Sequence, residues 1–393
     1  MLSSQIPEEF KDLRPYSDDE VRSAIDSLLH DRQFSHILKS MVPFLPLGMS
    51  RGILRLATLG IHSTLDFQLR FMKPVVKHVL RRCTTGYTFS HSHIAPGPER
   101  YTFLTNHRDI VLDSAILDVM LHEAKFPTTC EIAIGDNLLI YPWIRTLVRL
   151  NKAFIVQRSL PMRELLRASQ VMSRYMHFAI TEKHENIWIA QREGRAKDSS
   201  DQTQVSLLKM LAITGDGGTQ GAVESIKTLN VVPLAISYEF DPCDYLKAQE
   251  FQQKRDNPAW KKSKQDDLTN MKTGIFGKKG HVHYQVGTPV NEWIDTLATL
   301  PEKEFFQALA LRIDHEIHRS YRLFPGNYVA ADLLRGNNEH TNRYSAAEQQ
   351  AFEQYIAQRI ALVDLPQPDT DFLRERLLTM YANPVFNQEQ ATL

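Results

Sequence analysis

An alternation that begins near Gly86 constrains the fold more than any other feature of the chain. Short β-prone apolar runs stand at 101–104, 131–134, 153–156, 187–190, 231–236 and 282–286. Between them lie stretches of helical period at 110–123, 138–150, 160–183, 203–213 and near 219–228. A helix between two strands carries the chain back along the sheet, so the next strand starts at the same end and pairs in parallel. The expected fold is α/β: a mixed, mostly parallel sheet flanked by helices. Pro233 in the run Val231–Tyr238 marks that strand as an edge or a bulge.

The flanks are helical in pattern. Over 36–82 apolar residues recur (Ile53, Leu54, Leu56, Leu59, Phe67, Phe71, Val75, Val76), and Pro43 and Pro46 break the segment into a short helix and a longer one. Its charges are Lys39, Arg51, Arg55, Arg70, Lys73, Lys77, Arg81 and Arg82 against Asp66 alone. An amphipathic helix of one sign suits an anionic membrane surface, and it equally suits a core helix pair with a basic outer face. The division is 1–85, an N-terminal amphipathic helical segment associating with a membrane surface; 86–300, the α/β domain; and 301–393, a helical C-terminal extension. Within the second unit, residues 241–280 form a charged insertion, expected as a solvated excursion on the sheet's edge.

Bulk composition excludes several classes. With 46 basic residues against 46 acidic, no nucleic-acid partner is expected. No window reaches the run of about 18 apolar residues that a spanning helix needs. Met1–Glu9 lacks the pattern of a secretory signal, and Cys83, Cys130 and Cys243 are too scattered for a disulfide framework. A peripheral protein on the cytoplasmic side of a membrane fits these observations. His91/His93 and His281/His283 have no cysteine or carboxylate at ligand spacing, so no metal site is expected. Gly215-Asp216-Gly217-Gly218 lacks the lysine of a phosphate-binding loop and is expected as a turn.

Chemistry concentrates at strand ends. Thr102–Thr105 runs into Asn106-His107-Arg108-Asp109 and then into the helical Ile110–Leu117, which puts a histidine at the mouth of a helix. Asp113 follows, where a carboxylate can hold the imidazole in one tautomer. Phe154-Ile155-Val156-Gln157-Arg158 ends a strand in a guanidinium, a fork that suits a phosphate. Ile187–Ala190 leads into Gln191-Arg192-Glu193-Gly194-Arg195-Ala196-Lys197, where clustered cations can hold an anion and Gly194 admits close backbone approach.

In this order the pieces resemble the glycerolipid acyltransferase superfamily, which includes glycerol-3-phosphate and 1-acylglycerol-3-phosphate acyltransferases. The four blocks are Asn106-His107 through Asp113, Phe154–Arg158, Glu193-Gly194-Arg195, and Val232-Pro233-Leu234-Ala235-Ile236, spread over roughly 100–240. Two departures stand out. Leu112 occupies the family's usual aspartate position, so the partner of His107 is Asp113, one residue late, or Asp109; the Leu-Asp pair favours Asp113. The third block has no residue between Gly194 and Arg195.

The resemblance implies transfer of a fatty acyl group from acyl-CoA or acyl-carrier protein to a hydroxyl of a phospholipid or lysophospholipid acceptor, lysophosphatidate or glycerol-3-phosphate foremost. It gives His107 and Asp113 the catalytic roles. Arg108, Asp109, Arg158, Glu193, Gly194, Arg195 and Lys197 are its substrate-binding candidates, and no cofactor is required. The rival expectations are a non-catalytic lipid-binding protein of the same fold and a thioester or lipid hydrolase.

Overall fold

A computed structural model describes residues 6–35, 47–158, 160–214 and 217–392. The Pro43–Pro46 break, Met1–Gln5 and Gly215-Asp216 lie outside the described residues. Seven strands form one sheet: β1 (Thr84–Ser90), β2 (Thr102–Thr105), β3 (Cys130–Gly135), β4 (Ala153–Val156), β5 (Asn186–Ala190), β6 (Val231–Tyr238) and β7 (Gly280–Val286). Their order across it is β1-β7-β6-β2-β5-β3-β4. From β6 to β4 neighbours are parallel; β7 is antiparallel to β6 and parallel to β1. The sheet is thus mixed and mostly parallel, as the alternation requires.

Both faces are covered. Phe103, Trp188, Val232, Leu234 and Ile236 pack on one face beneath the helices Lys73–Cys83 and Leu112–Glu123. Their neighbours Leu104, Ile187, Ile189, Val231 and Ala235 pack on the other, beneath Met162–Thr181, Val205–Leu211, Gly218–Thr228 and Glu302–Arg319. Side chains alternate between two dry faces, so the central strands appear in sequence as unbroken apolar runs. β1 breaks that rule: it lies at the sheet's edge and contributes only Tyr87 and Phe89 to the core, which hides it among threonines and a glycine.

Pro233 corrects the expectation of an edge or bulge, because β6 is central, between β2 and β7. The Pro233 carbonyl accepts from Gly287 N at 2.8 Å, just past the end of β7. The proline nitrogen on that same side therefore faces the end of the antiparallel ladder, where the missing donor removes no bond to β2.

Toward the N-terminus, Thr64–Asp66 leads through a π-helical stretch, Phe67–Met72, into Lys73–Cys83. The wide turn carries Gln68 inward. Its buried amide donates to Asp118 Oδ2 and the Asn151 carbonyl, both at 3.1 Å, and accepts from the Thr129 hydroxyl. No helix among the described residues is long and apolar enough to cross a membrane.

Residues 241–280 correct the expectation of a solvated excursion. They fold into the helices Asp244–Asp256 and Lys264–Phe276, with Asp241, Lys247, Glu250, Asn270 and Lys279 buried. Asp244–Asp256 packs on Thr370–Thr392, with Ala248 in a core shared with Leu373, Leu377 and Tyr381.

A polar latch ties the end of that last helix down. His340 bonds Asp332 Oδ1 through Nδ1 at 2.7 Å and Glu389 Oε1 through Nε2 at 2.9 Å. Burial opposes protonation, but the bonds to the two carboxylates outweigh it and raise the pKa above 6.5. A raised pKa contributes stability that is fully present below the unfolded value and lost as pH rises through the folded one. The Tm difference between wild type and His340→Gln is therefore expected to be widest near about pH 6 and to narrow toward about pH 9. A difference independent of pH would refute the latch.

Candidate active site

The site grows from the place where β2 leaves the sheet. Asn106 imitates a further strand residue: its amide accepts from Ile236 N at 2.7 Å and donates to the Ile236 carbonyl at 3.0 Å. With the ladder closed by a side chain, the backbone is free to turn at His107. Asp109 Oδ1 then accepts from Val111 N and Leu112 N, both at 2.9 Å, so a carboxylate sits at the positive start of the helix Leu112–Glu123.

Asp113, in the first turn of that helix, contacts the imidazole; Asp109 does not. Asp113 Oδ2 lies 2.8 Å from His107 Nδ1 and accepts from Arg108 N at 2.7 Å and Asp109 N at 3.0 Å. Oδ1 accepts from the Tyr238 hydroxyl at 3.0 Å. A carboxylate ringed by donors leaves Nδ1 to carry the proton, so Nε2 on the opposite edge is the proton acceptor. The extra residue between His107 and Asp113 is taken up in the corner, which folds both backbone N–H groups onto the same oxygen. Asp113 is fully buried, whereas 12 % of the His107 side chain remains exposed.

His107 opens on a cavity of about 920 Å³ at the C-terminal ends of the parallel strands. Gly135 closes β3 and Asn137 follows it, Arg158 comes after β4, and Arg192 to Lys197 come after β5. Carboxyl ends of parallel strands are where α/β sheets hold ligands. Ile134, Ile144, Val148, Met172, Trp188 and Met210 make the remaining wall apolar. Trp188 meets the His107 ring edge to face, with centroids 5.7 Å apart. The insertion closes the other side with Lys247, Glu250, Phe251, Lys262, Asp267 and Met271.

Arg158, Glu193, Gly194, Arg195 and Lys197 therefore line one cavity with His107, although as many as 90 residues separate them along the chain. Arg158 Nη1 is 3.5 Å from Glu193 Oε1. Arg195 Nη2 donates to Asn270 Oδ1 at 2.9 Å. Lys197 pairs with Glu250; burial raises the pKa of that carboxyl, and the bond to Lys197 more than offsets it, holding it below the usual range. Gly194 adopts φ +69° with nothing within 4 Å of where a Cβ would stand, so it serves the turn rather than a close approach.

Two of the sequence candidates lie elsewhere. The Arg108 guanidinium does not line this cavity: Nη2 meets Asp201 Oδ2 at 2.6 Å and Nη1 donates to Ser199 Oγ at 2.9 Å, beside a separate small pocket of about 30 Å³. Asp109 is buried beneath the insertion, with its pKa raised chiefly by burial. A Cβ on Gly274 would stand 2.6 Å from Asp109 Oδ2, so the insertion approaches this corner only because residue 274 has no side chain. Substrate contact is thus corrected to structural support for both. Sequence reasoning missed Asn137 at the wall, and residue spacing carried no signal for it; Lys247 and Lys262 of the insertion line the wall as well. Among the described residues, no group of three or more His, Cys, Asp or Glu is placed to hold a metal ion.

Comparison with known proteins gives three findings. Residues 88–237 match the family model described as Acyltransferase. No curated protein sequence matches the chain. Among solved structures, the 1-acyl-sn-glycerophosphate (LPA) acyltransferase PlsC from Thermotoga maritima is similar at a TM-score of 0.36 and 10% identity, over 74% of this chain and 97% of that one. That distance carries no argument about the site.

Proposed function

We propose that the chain is a glycerolipid acyltransferase, its residues 88–237 matching the family model described as Acyltransferase, and that it moves a fatty acyl group from acyl-CoA or acyl-carrier protein to a hydroxyl of a phosphorylated glycerol acceptor, lysophosphatidate or glycerol-3-phosphate. The observation that carries this reading is the pairing of His107 with Asp113 at 2.8 Å on a cavity that also holds Arg158 and Arg195.

His107 Nε2 takes the proton of the acceptor hydroxyl as its oxygen attacks the thioester carbonyl carbon. Asp113 keeps the ring in the tautomer that can accept that proton. The tetrahedral oxyanion collapses, the C–S bond breaks, and the thiolate leaves with the proton returned by the imidazolium. No acyl-enzyme is formed. Arg158, Arg195 and Lys197 face the acceptor's phosphate, Glu193 positions their loop, and the apolar wall takes the acyl chain.

On this reading the protein works peripherally, at the cytoplasmic face of a membrane. Supporting it, Ile53 is 49 % exposed, Leu56 68 %, Leu59 59 % and Val75 40 %. Arg55, on the helix of Ile53 and Leu56, and Arg81 and Arg82, on the helix of Val75, are exposed as well. Apolar groups among cations are what an anionic lipid surface binds.

The test supplies a long-chain acyl-CoA and a panel of acceptors and follows free thiol. Release that requires lysophosphatidate or glycerol-3-phosphate is expected. Fatty acid released without regard to acceptor would identify a hydrolase, and lipid binding without thiol release would identify a non-catalytic protein; either overturns the proposal.

A further inference from the structure

We infer that Arg192, together with Arg195, forms the clamp that holds the phosphate of the acceptor, an inference that rests on the acyl-transfer reading above. Among the described residues, six cations line the cavity: Arg158, Arg192, Arg195, Lys197, Lys247 and Lys262. Internal carboxylates already meet four of them. Glu193 faces Arg158 at 3.5 Å, Glu250 pairs with Lys197, Asp241 pairs with Lys247 at 2.5 Å, and Asp267 pairs with Lys262 at 2.5 Å.

The remaining two differ. Among the described residues, Arg192 lines the cavity and makes neither an ion pair nor a side-chain hydrogen bond. Arg195 bonds the neutral amide of Asn270 and lies against the Cys243 thiol, and among the described residues it too makes no ion pair. Asp241 is in range of Arg195, but its charge is met by Lys247.

An arginine already bound to a carboxylate must weaken that pair to take a ligand anion. One whose N–H groups lack an acceptor gains a charge-assisted bond outright. Arg192 and Arg195 flank Glu193-Gly194 on a single loop, and the left-handed turn at Gly194 reverses the backbone between them. A phosphomonoester offers three acceptor oxygens, enough for both guanidinium forks. An uncharged acceptor such as monoacylglycerol offers neither the charge nor those oxygens. The clamp therefore selects phosphorylated acceptors. Asn270, fixed by its own bond to the Asp266 carbonyl at 2.9 Å, is a positioning residue that aims Arg195.

The experiment compares wild type, Arg192→Gln, Arg192→Lys, Arg158→Gln and Lys261→Gln on lysophosphatidate and on monoacylglycerol. Arg192→Gln is expected to raise KM for lysophosphatidate by about 10- to 100-fold, with kcat changed less, as for the loss of a hydrogen bond to a charged group. The KM for monoacylglycerol stays where it was, Arg192→Lys recovers part of the loss, and Arg158→Gln has the smaller effect. Lys261, an exposed lysine of the insertion, controls for general charge. A second measurement needs no turnover: glycerol-3-phosphate raises the Tm of wild type but not that of Arg192→Gln. Should wild type bind glycerol-3-phosphate yet transfer nothing, the acyl-transfer reading fails while the clamp stands. An unchanged lysophosphatidate KM in Arg192→Gln, an equal loss on both acceptors, or an undiminished Tm shift would overturn the clamp.

Discussion

His107→Ala lowers acceptor-dependent thiol release by about 10²- to 10⁴-fold, the span a general base contributes. The fold survives, because the imidazole makes one hydrogen bond and lies on the cavity wall. Asp113→Asn separates the two roles in the pair. Asp113 Oδ2 accepts from two backbone N–H groups as well as from His107 Nδ1, so the amide disturbs the corner itself. Activity and Tm should fall together in Asp113→Asn, and activity alone in His107→Ala. Steady-state rates and thermal unfolding on the two purified variants decide the matter, and a fully active His107→Ala protein would remove the imidazole from the mechanism.

The largest effect on stability belongs to Asp201→Asn. Asp201 is 1 % exposed and faces Arg108, whose side chain is 7 % exposed. Its Oδ2 also accepts from the Tyr321 hydroxyl at 2.5 Å. Asn keeps the shape and tolerates the left-handed backbone at φ 45°, but leaves a guanidinium buried without its counter-charge. Breaking one side of such a pair costs about 3–5 kcal/mol, whereas replacing both partners by apolar groups is often neutral. Urea titration should therefore show a large loss for Asp201→Asn and substantial recovery in the double variant Arg108→Met/Asp201→Asn, which removes the stranded charge and keeps a residue that tolerates the left-handed backbone. Single and double variants of equal stability would mean that the pair is not what holds this corner.

How much of this the chain revealed beforehand depends on the range of the interaction. Apolar periodicity is local, and six of the seven strands follow from it, as does the gathering of parallel strand ends where His107, Arg158 and Arg195 meet. Asp113 was legible because a carboxylate six residues from a histidine can fold back within a single turn. Arg108 was not: its position beside His107 suggests a ligand, and only the burial of Asp201, 93 residues on, turns it inward. The lysine-rich stretch 241–280 misled for the same reason. Composition marks it as solvated, but Glu250 and Asn270 meet Lys197 and Arg195 across 53 and 75 residues. Pairings at that distance leave no trace in spacing.

The reversal of direction between β6 and β7 has a consequence for how such an enzyme can diversify. A strand that returns antiparallel begins at the end where its predecessor stopped, so the link of Glu239 to Lys279 leaves and rejoins the sheet beside the same opening. Lengthening, trimming or exchanging that link alters one wall of the cavity without shifting the register of any strand beneath it. The shape of the cavity can thus drift in one segment while the His107–Asp113 pair, anchored on β2 and the helix that follows, stays as it is.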